Sequence, residues 1–268
     1  MADRTFTGTR TAFPGVDEHG PLAVRKIGVA DLRDALEKGW NDFWQKPSHL
    51  VFLGLIYPLA GVFLCRLVVG YDILPLLFPL VAGFALVGPF AALGLYEISR
   101  RLEQGQDAAW ADALNVMRSP GLLPLAILGF TLMMIFVLWL IAAMVIYSAI
   151  FGDMVPATVS GFLHEVITTR AGWTLILVGN AVGFLFALAA LMISVVSFPL
   201  ILDRHVGALA AARTSINAVV TNPGPMLLWG LIVAIALVIG FATLLVGLAI
   251  IVPVLGHATW HLYRRVVI

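Results

Sequence analysis

The sequence predicts an all-α polytopic integral membrane protein with six transmembrane helices, arranged as three repeated hairpins. Each hairpin is expected to follow a cytoplasmic, interfacial amphipathic helix. Composition is the first observation behind this fold class: 61% of the residues are hydrophobic, 12% are charged, and the mean hydropathy is +1.00. An ordinary soluble domain is about half apolar and about one quarter charged. The excess of apolar residues indicates that most of the chain lies in a membrane.

A motif that occurs three times is the second observation. It consists of an amphipathic helix with an asparagine near its end, then a proline, then a long apolar run. The three asparagine and proline pairs are Asn41 and Pro47, Asn115 and Pro120, and Asn217 and Pro223. Because a residue before proline avoids helical angles, each proline separates a surface helix from the apolar run.

The repeat predicts a single transmembrane domain over residues 29–268. Its repeat units are expected at about 29–101, 106–204 and 206–265. Residues 1–28 show no periodicity and are predicted to form a flexible cytoplasmic tail. No signal peptide is expected, because the first residues lack an early apolar core.

The long apolar runs are the third observation. About 20 residues at ~1.5 Å each are enough to cross a hydrocarbon core of ~30 Å. The predicted spans are His49–Val69, Ile73–Glu97, Leu122–Ile150, Trp173–Leu202 and two within Gly224–Tyr263. The segment 224–263 is uncharged, and two crossings that divide near Gly240–Gly247 are favoured over a single bent helix.

The first surface helix is predicted from its apolar spacing. Its expected apolar face consists of Val29, Leu32, Leu36, Trp40 and Phe43. Asp34, Lys38 and Asp42 are assigned to the polar face, and Asp34 and Lys38 form a favourable i,i+4 pair. Trp40 and Trp44 suit the headgroup region, where an indole can bury its ring and keep its N–H hydrated.

The other surface helices are predicted in the same way. The expected apolar faces are Trp110, Ala113 or Leu114, and Met117 in the second helix, and Leu209, Ala212, Ile216 and Val219 in the third. The third helix has a thin polar face, so we expect it to be partly buried. Between the third and fourth spans, the sequence VSGFLHEVI predicts a short amphipathic turn.

The distribution of basic residues predicts the topology. With both termini inside and six crossings, all but Arg66 and Arg170 of the 16 Lys and Arg residues lie on the cytoplasmic side. Such a bias follows the positive-inside rule, and five crossings would place Arg264 and Arg265 outside. We therefore expect a multi-pass membrane protein with cytoplasmic N- and C-termini.

The closing sequence P-x-L-G-H-A-T-W-H-x-Y-R-R, together with the repeated helix, proline and paired spans, resembles a known family. It is similar to a family of proteobacterial integral membrane proteins, domain of unknown function 2189. The resemblance covers most of the chain after Val24. It implies an inner-membrane location and six spans, and brings no established activity. The layout is more loosely similar to the membrane domain of some glycerophosphodiester phosphodiesterases, whose catalytic domain is absent from this sequence.

The candidate metal ligands are His257, His261 and His49. His257 and His261 lie four residues apart on one helix face, a spacing that can hold a metal ion. His49, His205 and Glu97 are predicted at a similar depth near the cytoplasmic side. The alternative interpretation is that histidines at a membrane interface are solvated or hydrogen-bonded. No cofactor is assigned, and a haem-carrying oxidase core is excluded because the middle of the spans contains no histidine.

The function predicted from the sequence is that of a non-enzymatic membrane protein with a structural, accessory or lipid-organising role. Its partners would be the lipid bilayer and either a membrane protein or a second copy of the chain. A net charge of +1 gives no reason to expect nucleic acid. The first alternative is a carrier or channel for an apolar or lipid-like solute, lined by Asn180, Ser194 and Ser197. The second is a metal- or haem-binding accessory protein of a respiratory complex.

Overall fold

The computed structural model describes residues 20–47, 75–84, 88–152, 158–243 and 246–268. Within these residues the regular elements are helical, apart from one isolated antiparallel bridge between Val24 and Val267. The α-helices are α1 (Val29–Gln45), α2 (Leu77–Phe84), α3 (Gly88–Ala91), α4 (Leu93–Glu103), α5 (Trp110–Ala113), α6 (Leu122–Phe151), α7 (Val159–Thr168), α8 (Arg170–Ser194), α9 (Ser197–Arg204), α10 (Ala208–Thr221), α11 (Pro223–Ala242) and α12 (Leu248–Val266). The all-α fold class is confirmed for the described residues.

Three helical segments in the described part of the chain are long and apolar enough to cross a membrane. They are α6, the segment Arg170–Arg204 that comprises α8 and α9, and α11. They coincide with the third, fourth and fifth predicted spans. The first predicted span, His49–Val69, lies outside the described residues, and α2 to α4 cover part of the second. Six crossings and three hairpin repeats therefore stay a prediction.

The segment 224–263 forms two helices. The first, α11, ends at Ala242, and α12 begins at Leu248, so the predicted division near Gly240–Gly247 is confirmed. The two helices pack closely at the division, because a Cβ on Gly240 would lie 2.4 Å from Leu248 Cδ2.

The fourth predicted span is interrupted between α8 and α9. Pro199 has no N–H and removes the helical hydrogen bond to the carbonyl of Val195, which is where the regular helix stops. At the same break, the backbone N–H of Val196 donates to Ser215 Oγ on α10, at 3.2 Å. A side chain of the third surface helix thus satisfies one backbone donor at the break in the span.

One end of the molecule is a compact helical cap formed by α1, α4, α9, α10 and the C-terminal half of α12. Most of its interior is apolar and tightly packed. Buried side chains at its centre are Leu32, Ala35, Leu95, Tyr96, Phe198, Leu200, Ile201, Ala211, Ala218, Trp260, Leu262, Tyr263 and Val266. Two of the spans are different: only 22% of the most apolar part of α6 and 17% of that of α11 is buried by protein, against 56% in Arg170–Arg204. Helices α6 and α11 therefore present broad apolar faces outside the cap.

The buried face of α1 differs from the predicted one. Its buried residues are Leu32, Ala35, Gly39, Asp42 and Phe43, whereas Val29 and Trp40 are exposed. Helix α1 runs antiparallel to α12, with Gly39 against Ala258 and Asp34 against Arg265. Because α1 and α12 pack closely, the small residues Ala35 and Gly39 lie at the contact. In this orientation of α1, Asp42 faces the interior and Trp40 faces outward.

The other two surface helices also depart from their predicted faces. The second is a single short turn, α5, followed by a 3-10 helix at Leu114–Arg118, and Met117 is exposed. The third, α10, buries Val219 of its predicted face, but most of its buried residues are small or hydroxyl residues such as Ala211 and Ser215, and Leu209 is exposed. The expected partial burial of α10 is observed, but on a rotated face.

Residues 20–28 lie along the cap, although the sequence assigns them to a flexible tail. Asn222 holds them in place: its Oδ1 accepts from the N–H of Ile27 at 2.8 Å, and its Nδ2 donates to the carbonyl of Arg25 at 3.0 Å. The N–H of Leu22 also donates to Thr214 Oγ1 at 3.0 Å. These contacts attach the segment before α1 to the junction of α10 and α11.

Candidate functional site

Four polar side chains from three helices meet inside the cap, and we call them the polar cluster. They are Asp42 on α1, Ser99 on α4, and His257 and His261 on α12. Asp42 is 6% exposed, His261 9%, and both Ser99 and His257 0%. Because buried polar groups are costly unless they are hydrogen-bonded, the geometry of this cluster matters for the stability of the cap.

The hydrogen bonds of the polar cluster form one chain. Ser99 Oγ donates to Asp42 Oδ2 at 2.6 Å, and His261 Nε2 lies 2.8 Å from the same oxygen. Ser99 Oγ also lies 2.8 Å from His257 Nδ1. A serine hydroxyl has one proton, so His257 Nδ1 must be the donor to Ser99. The Nε2 of a neutral His257 is then an acceptor, and it is buried without a hydrogen-bond partner.

Small residues allow the three helices to bring these groups together. A Cβ on Gly39 would lie 2.5 Å from the backbone nitrogen of Ala258, so α1 approaches α12 almost backbone to backbone. A Cβ on Gly256 would lie 2.5 Å from Leu95 Cδ1, which sets the distance between α12 and α4. His257 and His261 share a face because residues four apart are neighbours on a helix.

A group of ion pairs, which we call the ring, links the helices of the cap, and its carboxylates range from the buried Glu97 to the partly exposed Asp34 and Glu103. Glu97 binds both Arg100 and Arg101 at 2.8 Å, so it does not join the histidines as the sequence suggested. Arg264 bridges Glu103 and Asp203, at 3.1 and 3.4 Å. The remaining contacts of this ring are Arg101 to Asp112, Arg265 to Asp34, Trp260 Nε1 to Glu103 and the Tyr263 hydroxyl to Asp203. The ring links α1, α4, α5, α9 and α12.

The ion pair between Asp34 and Arg265 predicts an acid-sensitive contact between α1 and α12. Partial burial opposes ionisation, but hydrogen bonds from Arg265 and Lys38 hold the pKa of Asp34 below its ordinary value of 3.8. The stabilisation from this pair is therefore present above the ordinary pKa and is lost as pH falls through the folded-state pKa. Thermal unfolding of the wild-type protein and of Asp34→Asn should differ at about pH 6 and converge toward about pH 3. A difference independent of pH would contradict this assignment.

The structure places two of the three candidate metal ligands in the polar cluster. His257 Nδ1 and His261 Nε2 are engaged by Ser99 and Asp42, and His49 lies outside the described residues. Among the described residues, no group of three or more His, Cys, Asp or Glu side chains could hold a metal ion. A metal site that includes His49 stays a prediction. His205, which was expected nearby, is an exposed residue with positive φ at the end of α9.

The three residues of the predicted solute path do not share a surface. Asn180 Nδ2 donates to the carbonyl of Ile176 in its own helix and is exposed. The hydroxyls of Ser194 and Ser197 likewise donate to carbonyls one turn earlier and are buried. Asn180 lies 14 residues before Ser194 in α8, which corresponds to about 21 Å along the axis. These positions do not favour a common lining for a solute.

Two members of the polar cluster, Asp42 and Ser99, are not among the site residues predicted from the sequence. A signal for Asp42 was present, because Ala35, Gly39 and Asp42 form a stripe of small residues that ends in the carboxylate. Such a stripe is typical of a close helix contact. Ser99 had no comparable signal, since it became important only when α4 packed beside α12.

A family model that matches the chain describes a membrane protein, in agreement with the long apolar helices of the structure. The model of a family described as "Predicted integral membrane protein (DUF2189)" matches residues 77–203. The chain is a membrane protein with several apolar helices. The matched region extends from α2 to α9, so it includes Ser99 but excludes Asp42 and both histidines of the polar cluster. Comparisons with curated proteins and with solved structures give no match.

Proposed function

We propose that this protein is a non-enzymatic component of a bacterial inner membrane, with a structural, accessory or lipid-organising role. The cap is its contact surface at the cytoplasmic leaflet. One observation carries this proposal: α1 ends in two exposed indoles although the rest of the cap buries its large aromatic side chains. The polar cluster stabilises the cap and does not act as a reaction centre.

The two indoles form a compact pair at the last turns of α1. Trp40 is 45% exposed and Trp44 is 61% exposed. Their ring centroids are 5.6 Å apart in an edge-to-face arrangement, and Trp44 packs in the same way on Phe43 at 5.6 Å. Tryptophan is enriched at membrane interfaces because its ring is apolar and its N–H is polar. The pair lies directly before the first predicted span, which is where such an anchor would contact lipid headgroups.

The arrangement of the polar cluster supports a non-enzymatic role. Serine, histidine and aspartate are the residue types of a hydrolytic triad, in which histidine accepts the serine proton and aspartate orients the histidine. Here Ser99 lies between the other two, and its hydroxyl donates to Asp42 instead of to His257. Ser99 is also fully buried. These contacts suit a latch between helices better than an activated nucleophile.

The test is quenching of tryptophan fluorescence by brominated lipids. The protein would be placed in phosphatidylcholine vesicles whose acyl chains carry bromine near the headgroup or near the chain end. We expect a large part of the emission assigned to Trp40 and Trp44 to be quenched, more strongly by the shallow bromines, because interfacial indoles lie at headgroup level. This emission is obtained as the difference between wild type and the double variant Trp40→Phe and Trp44→Phe.

The matched control is Trp229→Phe, which removes a buried indole from α11. Its difference emission should be less sensitive to shallow bromines than that of the exposed pair. If the emission of Trp40 and Trp44 is not quenched at either depth, the cap does not contact lipid through α1. If a stoichiometric protein co-purifies with wild type and is lost from the double variant, the accessory role is favoured over the lipid-organising one.

A further inference from the structure

The end of the molecule opposite the cap has an apolar surface of its own. Helix α6 is 30 residues long, about 45 Å at ~1.5 Å per residue, and leads away from the cap to α7. Helix α8 then returns from α7 to the cap. The surface consists of four exposed side chains, which we call the far-side patch: Leu163 and Ile167 on α7, and Trp173 and Leu177 on α8.

Helix α7 is fixed against α8 by defined contacts. A Cβ on Gly172 would lie 2.1 Å from the carbonyl oxygen of Val166, so the corner between the two helices is closely packed. Thr158 caps α7 and Thr169 caps α8, each through its side-chain oxygen. The indole N–H of Trp173 donates to the carbonyl of Ile167 at 3.1 Å. The part of the far-side patch on α7 is therefore held next to the part on α8 where Trp173 meets Ile167.

The inward face of α7 is already covered by protein. Phe162 packs edge to face on Tyr147 of α6, with ring centroids 6.2 Å apart. Leu163 and Ile167 point elsewhere and are 54% and 58% exposed. His164 and Thr168 occupy the adjoining exposed part of the helix, so α7 is apolar at one edge and polar at the other. This distribution is typical of a helix that lies at an interface between water and lipid.

We propose that α7 is an interfacial anchor whose far-side patch is inserted into the lipid leaflet opposite the cap. The patch continues along the apolar outer face of α8, where Trp173 is 54% exposed and Leu177 is 67% exposed. Because α8 is long and apolar enough to cross the membrane, lipid that surrounds α8 also reaches α7. Trp173 stands at the beginning of α8, at the level expected for an interfacial indole. The protein is then fixed in both leaflets.

Spin labels on α7 test this proposal directly. Cys65 is the only cysteine in the sequence, so a Cys65→Ala background allows single labels at Leu163→Cys and at Ile167→Cys. The protein would be reconstituted in vesicles of phosphatidylethanolamine and phosphatidylglycerol. Paramagnetic resonance would compare collision with oxygen, which concentrates in lipid, and with nickel ethylenediaminediacetate, which stays in water. The matched control is Thr168→Cys on the polar edge of the same helix.

We expect the ratio of oxygen to nickel accessibility to be at least about threefold higher at positions 163 and 167 than at 168, because an interfacial helix buries its apolar face roughly 5–10 Å. Equal ratios at the three positions, with free access of nickel, would show a water-exposed helix and overturn the proposal. Low access of both reagents at 163 and 167 would show that protein covers the patch, and would also overturn it. The outcome is independent of the cap, because the labels and the indoles of α1 are at opposite ends.

Discussion

Asp42→Ala is expected to lower the free energy of unfolding by about 3 kcal/mol, because removing one partner of a buried polar network leaves the others unsatisfied. Asp42 Oδ2 accepts from Ser99 at 2.6 Å and lies 2.8 Å from His261 Nε2, and both partners are buried. The same change removes the acceptor of the Ser99 hydroxyl, and so it also disrupts the hydrogen bonds that run from Asp42 through Ser99 to His257. The measurement is unfolding in mixed micelles, followed by circular dichroism and by amide exchange of α1.

The matched control is Asp34→Ala on the same helix. Asp34 accepts from Arg265 and Lys38, but its side chain is 33% exposed. Its loss should cost less than about 1 kcal/mol, since water replaces the partners of a surface ion pair. Equal effects of the two alanine variants would show that the polar cluster is not a special contact. A cycle with Ser99→Ala should give non-additive effects, because Asp42 and Ser99 share one hydrogen bond.

Gly39→Val is expected to have an effect of similar size for a different reason. The added Cβ would lie 2.5 Å from the backbone nitrogen of Ala258 and 2.7 Å from its Cα. Backbone atoms cannot move aside as a flexible side chain can, so α1 must shift away from α12. Overpacking of this kind costs about 3 kcal/mol at the upper end of its usual range. The variant should also increase protease sensitivity of the segment that contains α1.

Gly179→Val is the control for this prediction. Gly179 is in α8, and a Cβ there meets no atom within 4 Å. Because the site is open, the change in the free energy of unfolding should stay below about 1 kcal/mol. Equal stability of the two valine variants would contradict the close approach of α1 to α12 at Gly39 and Ala258. If Gly39→Val lowered the free energy of unfolding and also abolished the hydrogen bonds of Asp42, the contact at Gly39 and the polar cluster would be energetically coupled.

Several features could be predicted from the sequence because they depend on local periodicity. The long apolar runs located α6, α8 and α11, and Pro223 marked the start of α11. Residues 224–263 form two helices, as their length indicated. The pair His257 and His261 was found from its spacing alone. These features depend on residues that are neighbours in the chain, and a helix of known geometry places them without further information.

The buried faces of the surface helices could not be predicted in the same way. The apolar spacing of α1 predicts an apolar contact face. The contact with α12 instead depends on how closely the two backbones approach, and Gly39 permits the close approach because it has no Cβ. The sequence places Asp42 on the polar face of α1, because a carboxylate is normally exposed to solvent. It is buried here because Ser99 and His261 reach it from two other helices.

The sequence by itself determined that this protein is helical and mostly apolar, and where several of its long helices lie. Hydropathy and helical period are properties of consecutive residues, so folding does not change them. Only the tertiary structure decided that a packed cap contains the polar cluster, that Trp40 and Trp44 face outward, and that Leu163 and Ile167 of α7 stay exposed. Each of these depends on contacts between residues distant in the chain, and such contacts select small or hydrogen-bonding side chains over the most apolar ones.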